Sequence, residues 1–500
     1  MGTRDLDDGR AGTVFAGCLA LAVAEACLLD CGLGYVLGAA RWAWLRAVAI
    51  ATVGCWGAWR RWCWHRYVRA FPAEALVLGR RCEQRCHMLE PYVLHARGTV
   101  LLLDGHGGGG HAAAADALEA ALARCAPDVH VVRASLSELV EERPDNLAWR
   151  LTRCTGEDLY NWALARGGSV AVLVTVALAA AQRVAVCADA ALAHVYGACG
   201  SARARWCTRV CATLFRRVRP DVVCNVTPGT AAFLRRGLED ARLGAVPLVT
   251  IVTDFDATGV HDWLADAEHT VVCGTPEAYM QARAAGVPEA HLRLVSGMLL
   301  HPSFYAGPSH RFDVPGRLAA LGLAREQRTC VLCWGGVGSQ RMYDVGRWVA
   351  ALAHPLNLIF LCGRNARLVA ALQRAAWPPG CRVYVGGHTP HMRDFLALAD
   401  VLVCKPGPGV CTEAAFLGVP MLLDSWAWVL PQEASVCREM LRRGLAVGFS
   451  TRAHFVRQLR ALLGMLPPGA RGATVCAEVP PADNMAIFQA VRVLGEFLST

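Results

Sequence analysis

The chain of 500 residues is almost without lysine: among its 50 cationic side chains only Lys405 is not an arginine. It also lacks an unbroken apolar run of the roughly 20 residues a helix needs to cross a bilayer. Thr13 to Leu29 is interrupted by Glu25, and Ala47 to Trp59 is uncharged but short, so neither reads as a lone transmembrane helix. Asp5, Asp7 and Asp8 oppose a secretory or transit peptide, and Gly2 is not followed by the hydroxyl that myristoylation needs at position 6, so no cleavable address is expected. The 23 cysteines are odd in number and scattered through apolar runs such as Val331 to Cys333. Cys82, Cys86 and His87 have no matching second pair at zinc-ribbon spacing, which argues against a metal site and for reduced, intracellular thiols used as small hydrophobes. The net charge of +9 is spread along the chain rather than gathered into a run, which argues against nucleic acid and for an anionic surface or a phosphate-bearing substrate.

What the chain does have begins with Arg41 to Ala70, where six tryptophans and six arginines occur with no acid among them. Amphipathic rings and cations suit the headgroup level of a membrane. Residues 1–95 are therefore expected to form a membrane-associating region. The alanine- and valine-rich stretch Gly168 to Gly200 is interrupted by Gln182, Arg183 and Asp189 and reads as a core helix or a membrane contact on the acceptor side.

From Thr99 onward short β-branched runs alternate with helical stretches, the pattern of βα units in a parallel sheet. Strands are expected at Val100 to Leu103, Val129 to Val132, Val222 to Val226, Leu248 to Thr253 and Val271 to Cys273. A second series follows at Cys330 to Trp334, Leu358 to Cys362, Val383 to Val385, Val401 to Cys404 and Met421 to Leu423. The fold class is thus α/β, with two doubly wound Rossmann-like halves, residues 96–300 and 329–480. A proline- and glycine-containing linker at 301–328 joins them, and a last helix at 481–500 is expected to pack back on the first half.

Two loops carry the chemistry. DGHGGGGHAAAADALEAAL, from Asp104 to Leu122, puts Gly108, Gly109 and Gly110 before His111 and an alanine-rich helix. Glycines let a backbone approach a ligand closely, and the helix start favours negative charge. The loop is no dinucleotide fingerprint, since no acid ends the strand at Val129 to Val132. His111 at the helix start is expected to stay neutral and serve as general base for a hydroxyl. The sharper signal is VLVCKPGPGVCTEAAFLGVPMLLD, Val401 to Asp424: a strand, a loop with Gly407, Pro408 and Gly409, then a helix expected to hold Glu413 in its first turn. A carboxylate beside a phosphate site suits a ribose diol. Lys405, the one compact ammonium, implies a task that a planar guanidinium would not serve.

With VTDFDATGVHDW (Val252 to Trp263), LCGRN (Leu361 to Asn365) and PQEAS (Pro431 to Ser435), these motifs resemble glycosyltransferase family 28, in particular its monogalactosyldiacylglycerol synthases, from about Thr99 to the C-terminus. The resemblance implies a GT-B fold and transfer of galactose from UDP-galactose to diacylglycerol with inversion. It implies no metal and no cofactor, the UDP-sugar being a substrate. Donor contacts are implied at Gly335, Gly336, Arg364, Lys405, Gly407, Pro408, Gly409 and Glu413, with Gln432 and Glu433 facing the sugar. His111 and Asp254 are implied as catalytic, with Gly108, Gly109, Gly110 and Trp263 on the acceptor side. Membrane association, in a plastid envelope, goes with it. Three departures from the family pattern stand out: Val436 replaces an asparagine of the sugar loop, Thr227 a histidine before Pro228, and Val337 with Ser339 and Gln340 an acid and further glycine. A glucosyl or N-acetylglucosaminyl transferase, and a non-catalytic UDP-binding homologue, remain open alternatives.

Overall fold

The computed structural model describes residues 94–105, 107, 109–140, 156–166, 202–255, 263–264, 269–305, 313–352, 354–425, 430, 433–465 and 484–499. The Trp- and Arg-rich region, Cys82, Cys86 and His87, residues 168–200, Gly108 and Gln432 lie outside them. The chain divides into two compact units, Met1–Phe71 with Val172–Arg205 and Pro72–Ala171 with Trp206–Thr500, and both sheets belong to the second. No helix among the described residues is long and apolar enough to cross a membrane.

Two six-stranded, wholly parallel sheets form the scaffold. The first contains β1 (Gly98–Asp104), β2 (Val129–Ser135), β3 (Val222–Asn225), β4 (Leu248–Val252), β5 (Thr270–Cys273) and β6 (Leu292–Leu294), in the order β2-β1-β3-β4-β5-β6. The second contains β7 (Thr329–Cys333), β8 (Leu356–Leu361), β9 (Cys381–Gly386), β10 (Val401–Cys404), β11 (Met421–Asp424) and β12 (Ala446–Phe449), in the order β12-β11-β10-β7-β8-β9. Strand order reverses between β1 and β3 in one sheet and between β7 and β10 in the other. Ligands of open parallel sheets bind outside the carboxyl ends of strands at such reversals.

Helices cover both faces, so the strands are apolar on both sides and read as near-continuous runs. Val100 and Leu102 pack toward the helix Gly110–Cys125, while Leu101 and Leu103 face Phe215, Leu234 and Leu238; all these strand residues are fully buried. Ten of the twelve strands fall on the runs read from sequence. The other two are β6 and β12, three and four residues long. The Ala446, Val447, Gly448 and Phe449 of β12 have too little β-branched character to announce a strand, and both elements form only by pairing at a sheet edge.

The linker contains a 3-10 turn, Pro302–Tyr305, and a helix, Val314–Ala320. Pro at the first helical turn and the Asp313 side chain accepting from the Gly316 N–H at 3.0 Å explain why a proline-bearing stretch is helical here. The C-terminal helix, Ala486–Gly495, crosses to the first half and buries Ile487, Phe488, Val491 and Leu494 in the core built on the helix Gly110–Cys125. Asn484 fixes the crossing: its amide donates to Met298 O at 2.7 Å and accepts from the Ala486 N–H at 2.9 Å.

Leu494 has no exposed surface and sits where the two helices meet. Leu494→Ala is expected to cost about 2–5 kcal/mol by lost burial and the cavity left behind, read as a lowered urea midpoint of the transition that unfolds the first half.

Candidate functional site

On the first sheet the site is built at the end of β1. Asp104, buried at the strand terminus, accepts from Arg133 of β2 through Nε at 3.0 Å and Nη2 at 2.6 Å. The other arm of that guanidinium reaches Asp116 at 2.5 Å, and Nη2 also donates to Ala112 O at 3.4 Å. One arginine thus ties strand end to helix start, and nothing in the motif had singled it out. Gly109 caps the helix in the left-handed region at φ 89°, a conformation any side chain would strain. His111, the second residue of the helix, is half-buried, with Nδ1 3.0 Å from the Thr253 hydroxyl.

Asp254 and Trp263 come to the same place. Trp263 Nε1–H donates to Asp254 Oδ2 at 2.9 Å, and the indole lies 6.0 Å from the His111 ring, tilted by 59°. Trp263 is 1% exposed, so it acts on its surroundings by packing against the histidine ring rather than by presenting a face to solvent. Thr253 stands between His111 and Asp254 in this arrangement. Its neighbourhood was marked by the VTDFD run, but its role as the hydroxyl beside the imidazole depends on a contact 142 residues distant in sequence.

On the second sheet the loops after β7, β8 and β10 converge. Gly336 lies under Gly363, whose φ of 58° and closeness to the Gly336 carbonyl leave no room for a β-carbon. The Arg364 N–H donates to Gly336 O at 2.8 Å, and its guanidinium is exposed, with no partner among the described residues. The helix after β10 begins at Pro408, not beyond Gly409, because proline at the first helical position needs no N–H partner and presets φ. Glu413 therefore stands in the second turn rather than the first. Gly407, at φ −77°, uses no left-handed freedom; it and Gly409 leave space, since a β-carbon on Gly409 would meet nothing within 4 Å. The amides of this helix start point an anion-binding end at that space.

Two charges behave differently here. Lys405 is ion-paired with Glu433, the residue before the helix Ala434–Arg442, and Glu433 is buried. The pair is neutral overall, so the carboxylate adds little repulsion against an anion bound at the neighbouring helix start. Glu413 has no hydrogen-bonding or ionic partner among the described residues, and desolvation pushes its carboxyl up to about 7. Behind the loops Cys333, Cys404 and Cys411 are fully buried or nearly so, and burial pushes the Cys333 thiol up to about 11, which suits a neutral packing role.

The two halves meet backbone to backbone. A β-carbon on Gly109 would stand 3.3 Å from Gly336 Cα, and Gln340 N–H donates to Ala165 O at 3.0 Å. Tyr305 of the linker packs edge-on against Phe416 of the Pro408–Phe416 helix and Phe488 of the C-terminal helix. The glycine loop before His111 and the loop at Gly335 and Gly336 are thus brought to one place. Gly110 is exposed beside them.

No family model matches the chain. It is 25% identical over 226 residues to monogalactosyldiacylglycerol synthase 1, chloroplastic, of Arabidopsis thaliana, an overlap of 44% of this chain and 41% of that one. It is 24% identical over 241 residues to the spinach (Spinacia oleracea) monogalactosyldiacylglycerol synthase, chloroplastic, covering 46% and 44%. The matched region spans less than half the length of these curated relatives. Among solved structures, Acinetobacter baumannii MurG aligns with a TM-score of 0.47 at 15% identity, over 80% of this chain and 98% of that one.

The raised Glu413 pKa has a definite sign. A carboxyl whose folded pKa exceeds its unfolded value favours the fold most below the unfolded pKa of about 4.5, and that advantage is lost as pH rises through about 7. Glu413→Gln is expected to leave stability at pH 4.5 near wild type and to raise it at pH 8 by on the order of 2 kcal/mol, measured by urea denaturation of the ligand-free protein.

Proposed function

We propose that the protein is an inverting glycosyltransferase of GT-B architecture that moves galactose from UDP-galactose to the free hydroxyl of 1,2-diacylglycerol at a membrane surface. The observation that carries the reading is the convergence of His111, oriented by Thr253 and packed on Trp263, with the glycine loop of a second parallel sheet. A base on one half and an anion-binding helix start on the other are the two parts that displacement of a nucleotide diphosphate requires. Diacylglycerol, galactose and a chloroplast location are supported by the names of the relatives.

In this mechanism Nδ1–H of His111 donates to Thr253, leaving the Nε2 lone pair to take the acceptor's proton. The acceptor oxygen attacks the anomeric carbon from the face opposite UDP, the bond to the diphosphate oxygen breaks, and the configuration inverts. Charge arriving on UDP is met by the amides at the start of the Pro408–Phe416 helix and by Arg364. Glu413 accepts hydrogen bonds from the ribose hydroxyls; the ionised carboxylate this needs is the state that burial disfavours, and the diol supplies it with donors. Glu433, held by Lys405, faces the sugar, while Gly109 and Gly110 line the acceptor's approach. Asp254 fixes Trp263 and through it the histidine ring. Val436 has no exposed surface, so sugar choice falls to Glu433 rather than to that position.

The test incubates the protein in diacylglycerol-containing liposomes with UDP-galactose, UDP-glucose or UDP-N-acetylglucosamine, with EDTA present. A galactolipid is expected, and His111→Ala should lower kcat by about 10²- to 10⁴-fold with UDP affinity unchanged. Product from another donor alone would reassign the sugar. UDP binding without any glycolipid would overturn the transferase reading.

A further inference from the structure

Two main-chain contacts join the halves beside the site, Gly109 against Gly336 and the Gln340 N–H donating to Ala165 O at 3.0 Å. Gly336 and Gln340 belong to one short loop after β7, so these contacts resist sliding but give little leverage against rotation of one half on the other. Leverage comes from the far end of the Pro408–Phe416 helix. Its nine residues span about 13 Å, with the anion-binding start at one end and Phe416 at the other. Phe416 meets Tyr305 edge-on with ring centroids 5.1 Å apart, and Phe304 at 6.4 Å. The turn Pro302–Tyr305 that carries both rings packs on the helix Gly110–Cys125, and the Pro408–Phe416 helix touches that helix as well. The helix that bears His111 and the helix whose start faces the donor thus share one aromatic contact.

On the side of the first half that contact is rigid. The Tyr305 hydroxyl donates to Asn484 O at 2.6 Å, and its ring lies edge-on to Phe488 with centroids 4.9 Å apart. Asn484 is wedged in its turn: its amide donates to Met298 O at 2.7 Å, and a β-carbon on Gly297 would stand 2.8 Å from its Nδ2. Beside it the Met485 N–H donates to Ser296 Oγ at 2.8 Å, and Gln489 Oε1 accepts from the Ser296 N–H at 2.7 Å. Phe304 and Phe488 are buried, so the rings are close-packed and none can be removed without leaving a void. Of the four rings, Phe416 alone comes from the half that holds the second sheet.

We infer that Phe416 and Tyr305 are positioning residues: their contact fixes the tilt of the donor helix about the Gly109–Gly336 junction, and with it the line from the anomeric carbon to the acceptor oxygen at His111. This role rests on His111 acting as the acceptor-side base and on the start of the Pro408–Phe416 helix holding the donor. Transfer needs oxygen and carbon in line at about 3–3.5 Å, and a displacement of about 1 Å caused far from the chemistry costs about 10²-fold in rate. A tilted donor helix widens that gap, and water is small enough to enter it. The result is hydrolysis: a water oxygen bonds to the anomeric carbon, the bond to the diphosphate oxygen breaks, the water proton passes to His111, and free galactose leaves with UDP. Holding the tilt therefore reserves the donor for the lipid.

The experiment uses the full chain with UDP-galactose and diacylglycerol-containing liposomes, and follows galactolipid, free galactose, UDP binding and melting temperature. Wild type is compared with Phe416→Ala, Phe416→Leu, Tyr305→Phe and Leu459→Ala. Leu459, fully buried on the helix Arg452–Leu462, supplies a control destabilised in the same half as Phe416. Phe416→Ala is expected to lower kcat for transfer about 10²-fold and to raise the ratio of galactose to galactolipid about tenfold, with the UDP dissociation constant within about twofold of wild type. Phe416→Leu, which keeps most of the volume, should restore transfer to within about threefold. Tyr305→Phe keeps the ring but loses the hydrogen bond to Asn484 O, and its partition should fall between wild type and Phe416→Ala. Leu459→Ala should melt lower yet partition as wild type does, which separates positioning from stability. An unchanged partition in Phe416→Ala, or an equal shift in Leu459→Ala, would overturn the positioning role; if Phe416→Ala does not fold, an unchanged partition in Tyr305→Phe would overturn it. Galactolipid formed by every variant in the wild-type ratio would sink this role and leave the transferase reading intact, whereas wild type that binds UDP and forms neither product would sink both.

Discussion

The site depends on three stretches of main chain meeting with no side chain between them. Gly109 caps the first glycine loop, Gly336 follows β7, and Gly363 follows β8 and crowds the Gly336 carbonyl. Each sits at the carboxyl end of a strand, so the sheets bring the loops together and the glycines allow contact. A methyl group on Gly109 would press on Gly336 at 3.3 Å, and one on Gly363 would displace a backbone carbonyl. Packed backbone has no flexible end to yield, so the spacing between His111 and the second sheet is set by the main chain rather than by adjustable side chains.

Around that junction charge is handled in pairs. Arg133 answers Asp104 and Asp116 on one side, and Lys405 answers Glu433 on the other. A buried ion pair adds modest stability compared with apolar packing, but losing one partner strands the other charge and is costly. These pairs therefore serve arrangement more than stability: each holds a carboxylate at one angle beside a helix start. Glu413, Ser135 and Thr227 are exceptions, a carboxyl and two hydroxyls without partners among the described residues. An unpaired polar group in an otherwise satisfied network is where a ligand is best able to compensate for its own desolvation.

Much of this was legible in the sequence, for identifiable reasons. Val401 to Cys404 reads as a strand because an apolar run ends in a glycine and proline loop, and the structure places β10 on those four residues. Asp104 to Leu122 shows its loop and helix through glycines followed by alanines. The start of the Pro408–Phe416 helix was less legible, because a proline can close a loop or open a helix and local sequence does not choose. Pairings are harder still. That Thr253 meets His111, or Lys405 meets Glu433, depends on strand order, and strand order comes from the packing of whole layers rather than from any local motif.

The C-terminal helix supplies Ile487, Phe488, Val491 and Leu494, and the residues after it Leu498, to a core whose other buried members lie within residues 96–295. During synthesis that core stays open after the ribosome has made both sheets, with the apolar flank of the helix Gly110–Cys125 uncovered until residues near 495 have left the exit tunnel. More than 350 residues separate the helix Gly110–Cys125 from the helix Ala486–Gly495, a loop closure that slows folding and prolongs exposure of sticky surface to other nascent chains. A ribosome stalled short of residue 484 would release a protein whose second sheet can fold but whose first cannot be sealed, a natural client for chaperones and proteases.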